Sequence, residues 1–157
     1  MPFLMRKSRP TRLERLFADQ PVYFITACAH QRNPVLNNAP VHPAFQNFAQ
    51  QAASRGIFVG NYVLMPDHLH SFVASSPDTT PISLWVKSMK NFLSKTLREE
   101  GIPAPHWQKG FFDHVLRSED SYAEKWDYVA HNPVRAGLVE HPEQWPVRGQ
   151  IHALSIL

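Results

Sequence analysis

Short apolar runs predict the strands of this chain. They are rich in β-branched and aromatic side chains, which favour strands over helices. The runs cover residues 22–28, 57–65, 68–75 and 111–117. Only Pro66 and Asp67 separate the second run from the third, and this pair favours a tight turn. These two runs therefore predict a β-hairpin.

Apolar residues at intervals of three and four predict two amphipathic helices, and a capping residue with acidic residues after it predicts a third helix. The first includes Phe45 to Ala52 and ends near Gly56, the second spans residues 83–98, and the third follows the predicted cap Ser118 and ends near His131. Pro133 predicts that last end, because proline disfavours helical backbone at the residue before it. The order strand, helix, hairpin, helix, strand, helix is typical of an α+β fold, an antiparallel sheet with helices on one face and an added carboxyl-terminal helix.

The length of 157 residues predicts one domain spanning 1–157. Residues 1–20 are interpreted as a basic amino-terminal arm, and residues 140–157 as an irregular tail. A single cysteine, Cys28, excludes an intrachain disulfide and a zinc site built on cysteines. Since no apolar run approaches the roughly 20 residues of a membrane-spanning helix, we expect a soluble, cytoplasmic protein without a membrane partner.

Positive charge is concentrated in two parts of the chain, although the formal net charge is only +3. Arg9 and Arg12 belong to the arm, and Lys87, Lys90 and Lys95 recur on the second predicted helix. Such clusters suit a polyanion, whose binding is favoured by release of counterions, but they also serve solubility alone. We predict that these five residues contact the backbone of a nucleic acid.

His68 and His70 are the first residues that suggest chemistry. Residues two apart on a strand share a face and lie roughly 6.6 Å apart along it, so the two imidazoles would stand side by side. Such a pair can hold one metal ion, although histidines on a strand also serve simply for packing. A third donor is then required, and the alternatives are Asp67, Asn132, His114 and His131.

Tyr128 and Asn132 form a second pair, because residues four apart project from one face of a helix. A tyrosine hydroxyl can attack phosphorus to form a covalent phosphotyrosine, and a divalent metal can stabilise the charge that develops. Viewed alone, the two residues are equally a half-buried aromatic and a helix-ending asparagine. Tyr122 is the rival nucleophile, and it lies about 120° around the helix from Tyr128.

Three blocks, in this order, resemble the single-tyrosine HUH transposases. The first is YVLMPDHLH at residues 62–70, the second is WQKGFFDHVLR at residues 107–117, and the third is YVAHNPVRAGLV at residues 128–139. The chain is most similar to the branch of REP-associated tyrosine transposases, bacterial relatives that process short palindromic repeats. The resemblance extends from about Pro21 to Val139.

The resemblance implies a ferredoxin-like or RRM-like sheet that carries the histidine pair, with the nucleophile on the late helix. It implies that Tyr128 attacks single-stranded DNA at the foot of a hairpin, leaving a 5′-phosphotyrosine and a free 3′-OH. His68 and His70 would bind Mg²⁺ or Mn²⁺, and Asn132 stands where many relatives have glutamine as the third ligand. The expected partner is single-stranded or hairpin DNA of repetitive extragenic palindromes, and the protein would act as a monomer or homodimer at the nucleoid.

Several other residues receive supporting interpretations. His114 is an auxiliary residue for aligning substrate or metal, and Arg135 is a partner for phosphate. Trp107, Phe111 and Phe112 are interpreted as core residues in preference to platforms for stacked bases. Two further functions stay open: a nucleic-acid-binding module without catalysis, and a metal-dependent RNA-processing enzyme on the same sheet.

Overall fold

The computed structural model describes residues 21–75 and 80–154, and the predicted arm with Arg9 and Arg12 lies outside them. The strands are β1 (Val22–Cys28), β2 (Ile57–Leu64), β3 (His68–Ser75), β4 (Phe112–Leu116) and β5 (Arg148–Gln150). The helices are α1 (Val41–Ala52), α2 (Ile82–Glu99), α3 (Glu119–Ala130) and α4 (Asn132–Arg135). None of these helices is long and apolar enough to cross a bilayer.

The described strands form one antiparallel sheet in the order β4, β1, β3, β2, β5. The central strand β3 pairs with β1 so that His70 lies opposite Thr26 and Phe72 lies opposite Phe24. The edge strand β4 continues these rows, because His114 lies opposite Phe24 and Phe112 opposite Thr26. Directly paired residues share a face of the sheet, so all these side chains point to the same side.

Helices cover both faces of the sheet, in agreement with the predicted α+β fold. On one face, α1 and α2 bury Phe45, Met89 and Leu93 in a core with strand residues such as Ile25 and Val73. On the other face, α3 packs through partly buried aromatic residues. Its Tyr122 and Trp126 lie 4.4 Å and 6.1 Å from the Phe72 ring, between ring centroids. The added carboxyl-terminal helix therefore lies on the face that carries the histidine pair.

Three main-chain hydrogen bonds hold the hairpin turn between β2 and β3 in place. The Met65 amide donates to the His68 carbonyl at 2.8 Å, as the predicted tight turn requires. The Pro66 carbonyl accepts from the Leu36 amide at 2.9 Å, and the Asp67 carbonyl accepts from the Ala29 amide at 2.8 Å. These bonds hold the first residues of β3 in a defined position at the end of the sheet.

The predicted cap of α3 and its predicted end near His131 are both confirmed, since α3 ends at Ala130 and His131 is the carboxyl-terminal cap. The Ser118 hydroxyl accepts a hydrogen bond from the Ser121 amide at 3.1 Å. After α3 the chain forms the further turn α4, in which the Arg135 amide donates to the His131 carbonyl at 2.9 Å. Pro133 is tolerated because it lies in the first turn of α4, where its missing N–H has no helical acceptor.

The predicted irregular tail, residues 140–157, contains a short strand that the sequence did not indicate. β5 extends the sheet beside β2, with Gly149 opposite Tyr62. A Cβ atom at Gly149 would lie 2.6 Å from the Tyr62 hydroxyl, so the close approach of β5 requires glycine. The Trp145 indole anchors the preceding segment by donating to the Leu64 carbonyl at 3.1 Å. A three-residue strand is too short to produce a period-two pattern, which explains why the sequence did not reveal it.

Candidate active site

A cleft of about 480 Å³ opens where the sheet meets α3 and α4. β3 contributes His68 and His70, α3 contributes Tyr128, and α4 contributes Asn132 and Arg135. The other residues that line it are Phe24, Thr26, Arg32, Met65, Lys125, Val129 and Ala136. Five of the residues singled out by sequence therefore lie together within a single chain.

The two histidine rings lie 4.7 Å apart between centroids, at an angle of 77°. The Nδ1 atom of His68 is 2.7 Å from the Asp67 carboxylate, and the Nδ1 atom of His70 is 2.8 Å from the Thr26 hydroxyl. Each ring therefore has one nitrogen held by a neighbouring oxygen. The Nε2 atom of each ring is left for a ligand, an arrangement that is usual for histidines that bind metals.

His70 is held in its neutral form. Burial lowers the pKa of His70 to about 3, and the positive charges of His68, Lys125, Arg32 and Arg135 act in the same direction. The ring also stacks on Phe24, with 5.0 Å between centroids. Neutral imidazole is the form that binds a metal ion, so no proton has to be displaced from His70 at neutral pH.

Asp67 orients the site and is not a free third ligand. One carboxylate oxygen contacts His68, and the other accepts from Arg32 Nε at 2.9 Å. Partial burial alone would raise the pKa of Asp67, but the hydrogen bond and charge of His68, together with Arg32, lower it overall. Arg32 makes this contact from left-handed backbone, with φ of 57°, which is uncommon for a residue with a side chain.

Tyr128, Asn132 and Arg135 form a connected group at the helical side of the cleft. The Tyr128 side chain is 60% exposed, and the Arg135 guanidinium carbon lies 3.9 Å from its ring centroid. Arg135 also donates to the Tyr128 carbonyl at 2.6 Å and to the amide oxygen of Asn132. The phenol is thus accessible to a substrate, and a single arginine joins it to the amide beside it.

Tyr122 has a different environment from Tyr128. Its ring packs on Phe72, and its hydroxyl accepts a long hydrogen bond of 3.4 Å from the Asn61 amide. Burial raises the pKa of Tyr122 to about 12. A partly buried phenol that resists ionisation suits a packing role, whereas the Tyr128 side chain is 60% exposed.

The lysines of α2 do not face the cleft, because α2 covers the opposite face of the sheet. Lys87 and Lys95 are exposed there. Lys90 is partly buried, and its ammonium group donates to the Gln108 carbonyl at 3.0 Å and to the Gly110 carbonyl. Lys90 therefore anchors the segment before β4, an arrangement that does not favour the predicted contact with DNA.

Residues of the second sequence block differ in their positions. Trp107 and Phe111 pack against the core as predicted, but Phe112 is 70% exposed and its assignment to the core is wrong. His114 lies outside the cleft and lines an adjoining groove of about 410 Å³, which it shares with Tyr128 and Lys125. We call this second depression the side groove.

Few side chains of this cleft could bind a metal ion. Within residues 21–75 and 80–154, no group of three or more histidine, cysteine, aspartate or glutamate side chains is close enough together to hold a metal ion. His131, one of the alternatives for the third ligand, contacts the Asp127 carbonyl at 2.7 Å and does not line the cleft. The donors that the cleft itself offers beside the two imidazoles are neutral oxygens, of which the Asn132 amide is one.

Three polar residues of the cleft were not found from the sequence: Thr26, Arg32 and Lys125. Lys125 precedes Tyr128 by three residues, and this helical spacing is a signal that places both on one face. Thr26 and Arg32 carry no such local signal. They reach the site through strand pairing and an unusual turn, which depend on contacts distant in sequence.

Residues 19–131 match the sequence pattern of the IS200-like transposases, a stretch of more than half of the chain. This chain belongs to the IS200-like transposase family. A REP-associated tyrosine transposase of Escherichia coli K12 is 28% identical to it over 89 residues, which are 56% of this chain and 51% of that protein. A Haemophilus influenzae protein assigned to the same group is 27% identical over 97 residues, or 53% of each chain. The chain spans about half the length of these curated relatives.

A solved structure also resembles this chain. It is a REP-associated tyrosine transposase bound to a REP hairpin, with a TM-score of 0.68 and 20% sequence identity. The similarity covers 92% of this chain and 82% of the other. At this level of identity the comparison establishes the shared fold.

Proposed function

We propose that this transposase cleaves and rejoins single-stranded DNA at the foot of repeat hairpins, with Tyr128 as the nucleophile. The observation that carries the proposal is the cleft in which Tyr128 and the pair His68 and His70 lie together. The relatives named for repetitive extragenic palindromes, and the structural neighbour bound to a REP hairpin, support hairpin DNA of that kind as the substrate.

In the proposed reaction, the Tyr128 hydroxyl oxygen attacks the phosphorus of the scissile phosphodiester. The bond from phosphorus to the 3′ oxygen breaks, which leaves a 5′-phosphotyrosine and a free 3′-OH. The phenol proton leaves to solvent, to which the side chain is largely open, and the 3′ oxygen takes up a proton. Rejoining is the reverse reaction, in which a 3′-OH attacks the phosphotyrosine.

A divalent metal, Mg²⁺ or Mn²⁺, would be held by Nε2 of His68 and His70, with the amide oxygen of Asn132 as third ligand. The donor set fits this role, since both Nδ1 atoms already contact oxygens and His70 is neutral. Such an ion polarises a phosphate and stabilises its developing negative charge. Because Arg135 donates to the Asn132 oxygen, this hydrogen bond has to open or be shared when the amide binds a cation.

The positive side chains of the cleft suit the remaining needs of the reaction. Lys125, Arg32 and Arg135 line the same space as the histidines. Guanidinium groups hold phosphate oxygens through paired hydrogen bonds, and ammonium groups act as point charges. We therefore assign the binding of the scissile phosphate to Arg135 and Lys125, whereas Arg32 stays paired with Asp67 and keeps His68 oriented.

The test is a search for a covalent complex of protein and DNA. Wild-type protein is incubated with fluorescent single-stranded DNA that contains a repeat hairpin, in Mg²⁺ or Mn²⁺, and separated on a denaturing gel. We expect a slowly migrating adduct that is lost in Tyr128→Phe and retained in Tyr122→Phe. An adduct that persists in Tyr128→Phe contradicts the assignment. Cleavage of an RNA of the same sequence, but not of the DNA, would establish the RNA-processing alternative.

A further inference from the structure

Phe112 is the most exposed of the large hydrophobic side chains in the described residues, at 70%. A single exposed apolar residue is common and needs no explanation by itself. Its neighbours in the chain make it unusual, because Phe111, just before β4, packs against the core and Leu116, on the same face of β4, is only 4% exposed. The Leu116 end of β4 is therefore covered by α3, whereas the Phe112 end is open and exposes an aromatic ring.

The open end of β4 lies in a row with the histidine pair. Phe112 is opposite Thr26 on β1, and Thr26 is opposite His70 on β3. With a spacing of about 4.8 Å between neighbouring strands, the backbones of Phe112 and His70 are about 10 Å apart. All three side chains share one face of the sheet, so the ring lies beside the cleft on the surface that leads to it.

The surroundings of Phe112 are open and carry positive charge. A depression of about 150 Å³ beside it is lined by the exposed Lys109 and by Thr26, which also lines the cleft. Further along the same face, Lys125 Nζ lies 4.7 Å from the Phe24 ring centroid. Glu124 is an acidic residue on the side groove beyond it. An exposed aromatic ring between lysines is the combination with which proteins hold unpaired bases and their phosphates.

We propose that Phe112 is a stacking platform for an unpaired base of the DNA strand that leads into the cleft, with Lys109 and Lys125 contacting the phosphates on either side of that base. This inference rests on the proposed function and deepens it. The base next to the reacting phosphate is held by its flat face, which is available in a single strand and already covered in a duplex. Phe112 therefore selects unpaired DNA at the cleft and does not read its sequence.

The experiment measures binding without cleavage, with the full chain in EDTA. The probe is a hairpin oligonucleotide with single-stranded flanks, in which one flank position at a time carries the fluorescent base 2-aminopurine. We expect Phe112→Ala to lower the affinity about tenfold and Phe112→Trp to retain it, since base stacking is lost in the first variant only. At one or more flank positions, wild-type protein should quench the 2-aminopurine and Phe112→Ala should not.

The matched control is Leu84→Ala, which removes a 52% exposed apolar side chain from α2 on the opposite face. Leu84→Ala should bind the hairpin probe with the affinity of the wild type. A fully paired duplex offers its phosphates but no unpaired base, so Phe112→Ala and wild type should bind the duplex with equal affinity. Equal affinity and equal quenching for wild type and Phe112→Ala would overturn the platform. If the wild-type adduct also forms in that case, the proposed chemistry stands without it. Phe112-dependent binding without any adduct would instead reject the chemistry and keep the platform.

Discussion

Substitution of Thr26 tests whether His68 and His70 bind a metal ion. The Thr26 hydroxyl is 2.8 Å from Nδ1 of His70, the ring nitrogen that faces away from a ligand on Nε2. A metal on Nε2 requires the proton to be on Nδ1, so Thr26 would accept a hydrogen bond from His70. Thr26→Val keeps the shape of the side chain and removes this acceptor, whereas Thr26→Ser keeps the acceptor and removes only a methyl group.

The expected loss of metal affinity in Thr26→Val can be estimated in two ways. A buried donor left without a partner costs about 1–3 kcal/mol, which corresponds to about 5-fold to 150-fold in an equilibrium constant. Loss of a hydrogen bond behind a metal-binding histidine typically weakens metal binding by about 10-fold to 100-fold. The two ranges agree, so we expect Thr26→Val to bind Mn²⁺ at least tenfold more weakly and to lose about 1 kcal/mol of stability.

Mn²⁺ binding can be measured by the electron paramagnetic resonance signal of the free ion, with no DNA present. Thr26→Ser should match the wild type, and His70→Ala should abolish binding at the cleft. Unfolding in urea, monitored by circular dichroism, gives the stability of each variant. If Thr26→Val bound Mn²⁺ as tightly as the wild type while His70→Ala lost it, the orienting role of Thr26 would be refuted.

Three other residues give further predictions. Arg135→Lys should slow adduct formation about tenfold in gel time courses, because lysine cannot hold both the Tyr128 carbonyl and the Asn132 amide while contacting phosphate. Lys90→Ala should lower the free energy of unfolding in urea by about 1 kcal/mol and leave DNA affinity unchanged, because its ammonium group is held by main-chain carbonyls. Between about pH 10 and pH 12 the free energy of unfolding should fall, because the unfolded chain ionises its tyrosines while burial keeps the pKa of Tyr122 at about 12. Tyr122→Phe should reduce this fall when unfolding is measured at each pH.

Each of these predictions has a control within the chain. Lys87→Ala removes an exposed lysine from the same helix and should leave stability unchanged, so an equal loss in both variants would contradict the anchoring role of Lys90. Burial also raises the pKa of Tyr62, so part of the alkaline fall should survive in Tyr122→Phe. An Arg135→Lys variant that forms adduct at the wild-type rate would show that the guanidinium group is dispensable.

Local patterns were sufficient to predict the hairpin and its histidines. The turn at Pro66 and Asp67 and the alternation on β3 are properties of neighbouring residues, and they placed His68 and His70 on one face. The helical spacing of Tyr128 and Asn132 is equally local, and both line the cleft. That these two halves meet was implied by the family resemblance and not by either pattern.

Contacts between distant segments account for what the sequence did not reveal. Thr26 approaches His70 only through the pairing of β1 with β3, and Lys90 turns inward because the segment before β4 crosses its helix. Phe112 was assigned to the core from its hydrophobicity, but it lies on an edge strand beyond the cover of α3. Hydrophobic residue types indicate burial on average, and exceptions of this kind become visible only when the neighbouring strands are in place.

The cleft draws its histidines and its tyrosine from one polypeptide, and this has a kinetic consequence. If the chemistry is as proposed and each chain uses its own cleft, the turnover of each DNA-bound molecule would be independent of protein concentration. Co-expressed Tyr128→Phe and His70→Ala chains would not complement one another, because the intact histidine pair and the intact tyrosine would lie in the clefts of different molecules. In a cell with few copies of this protein, the activity of each copy would then not depend on the formation of a dimer.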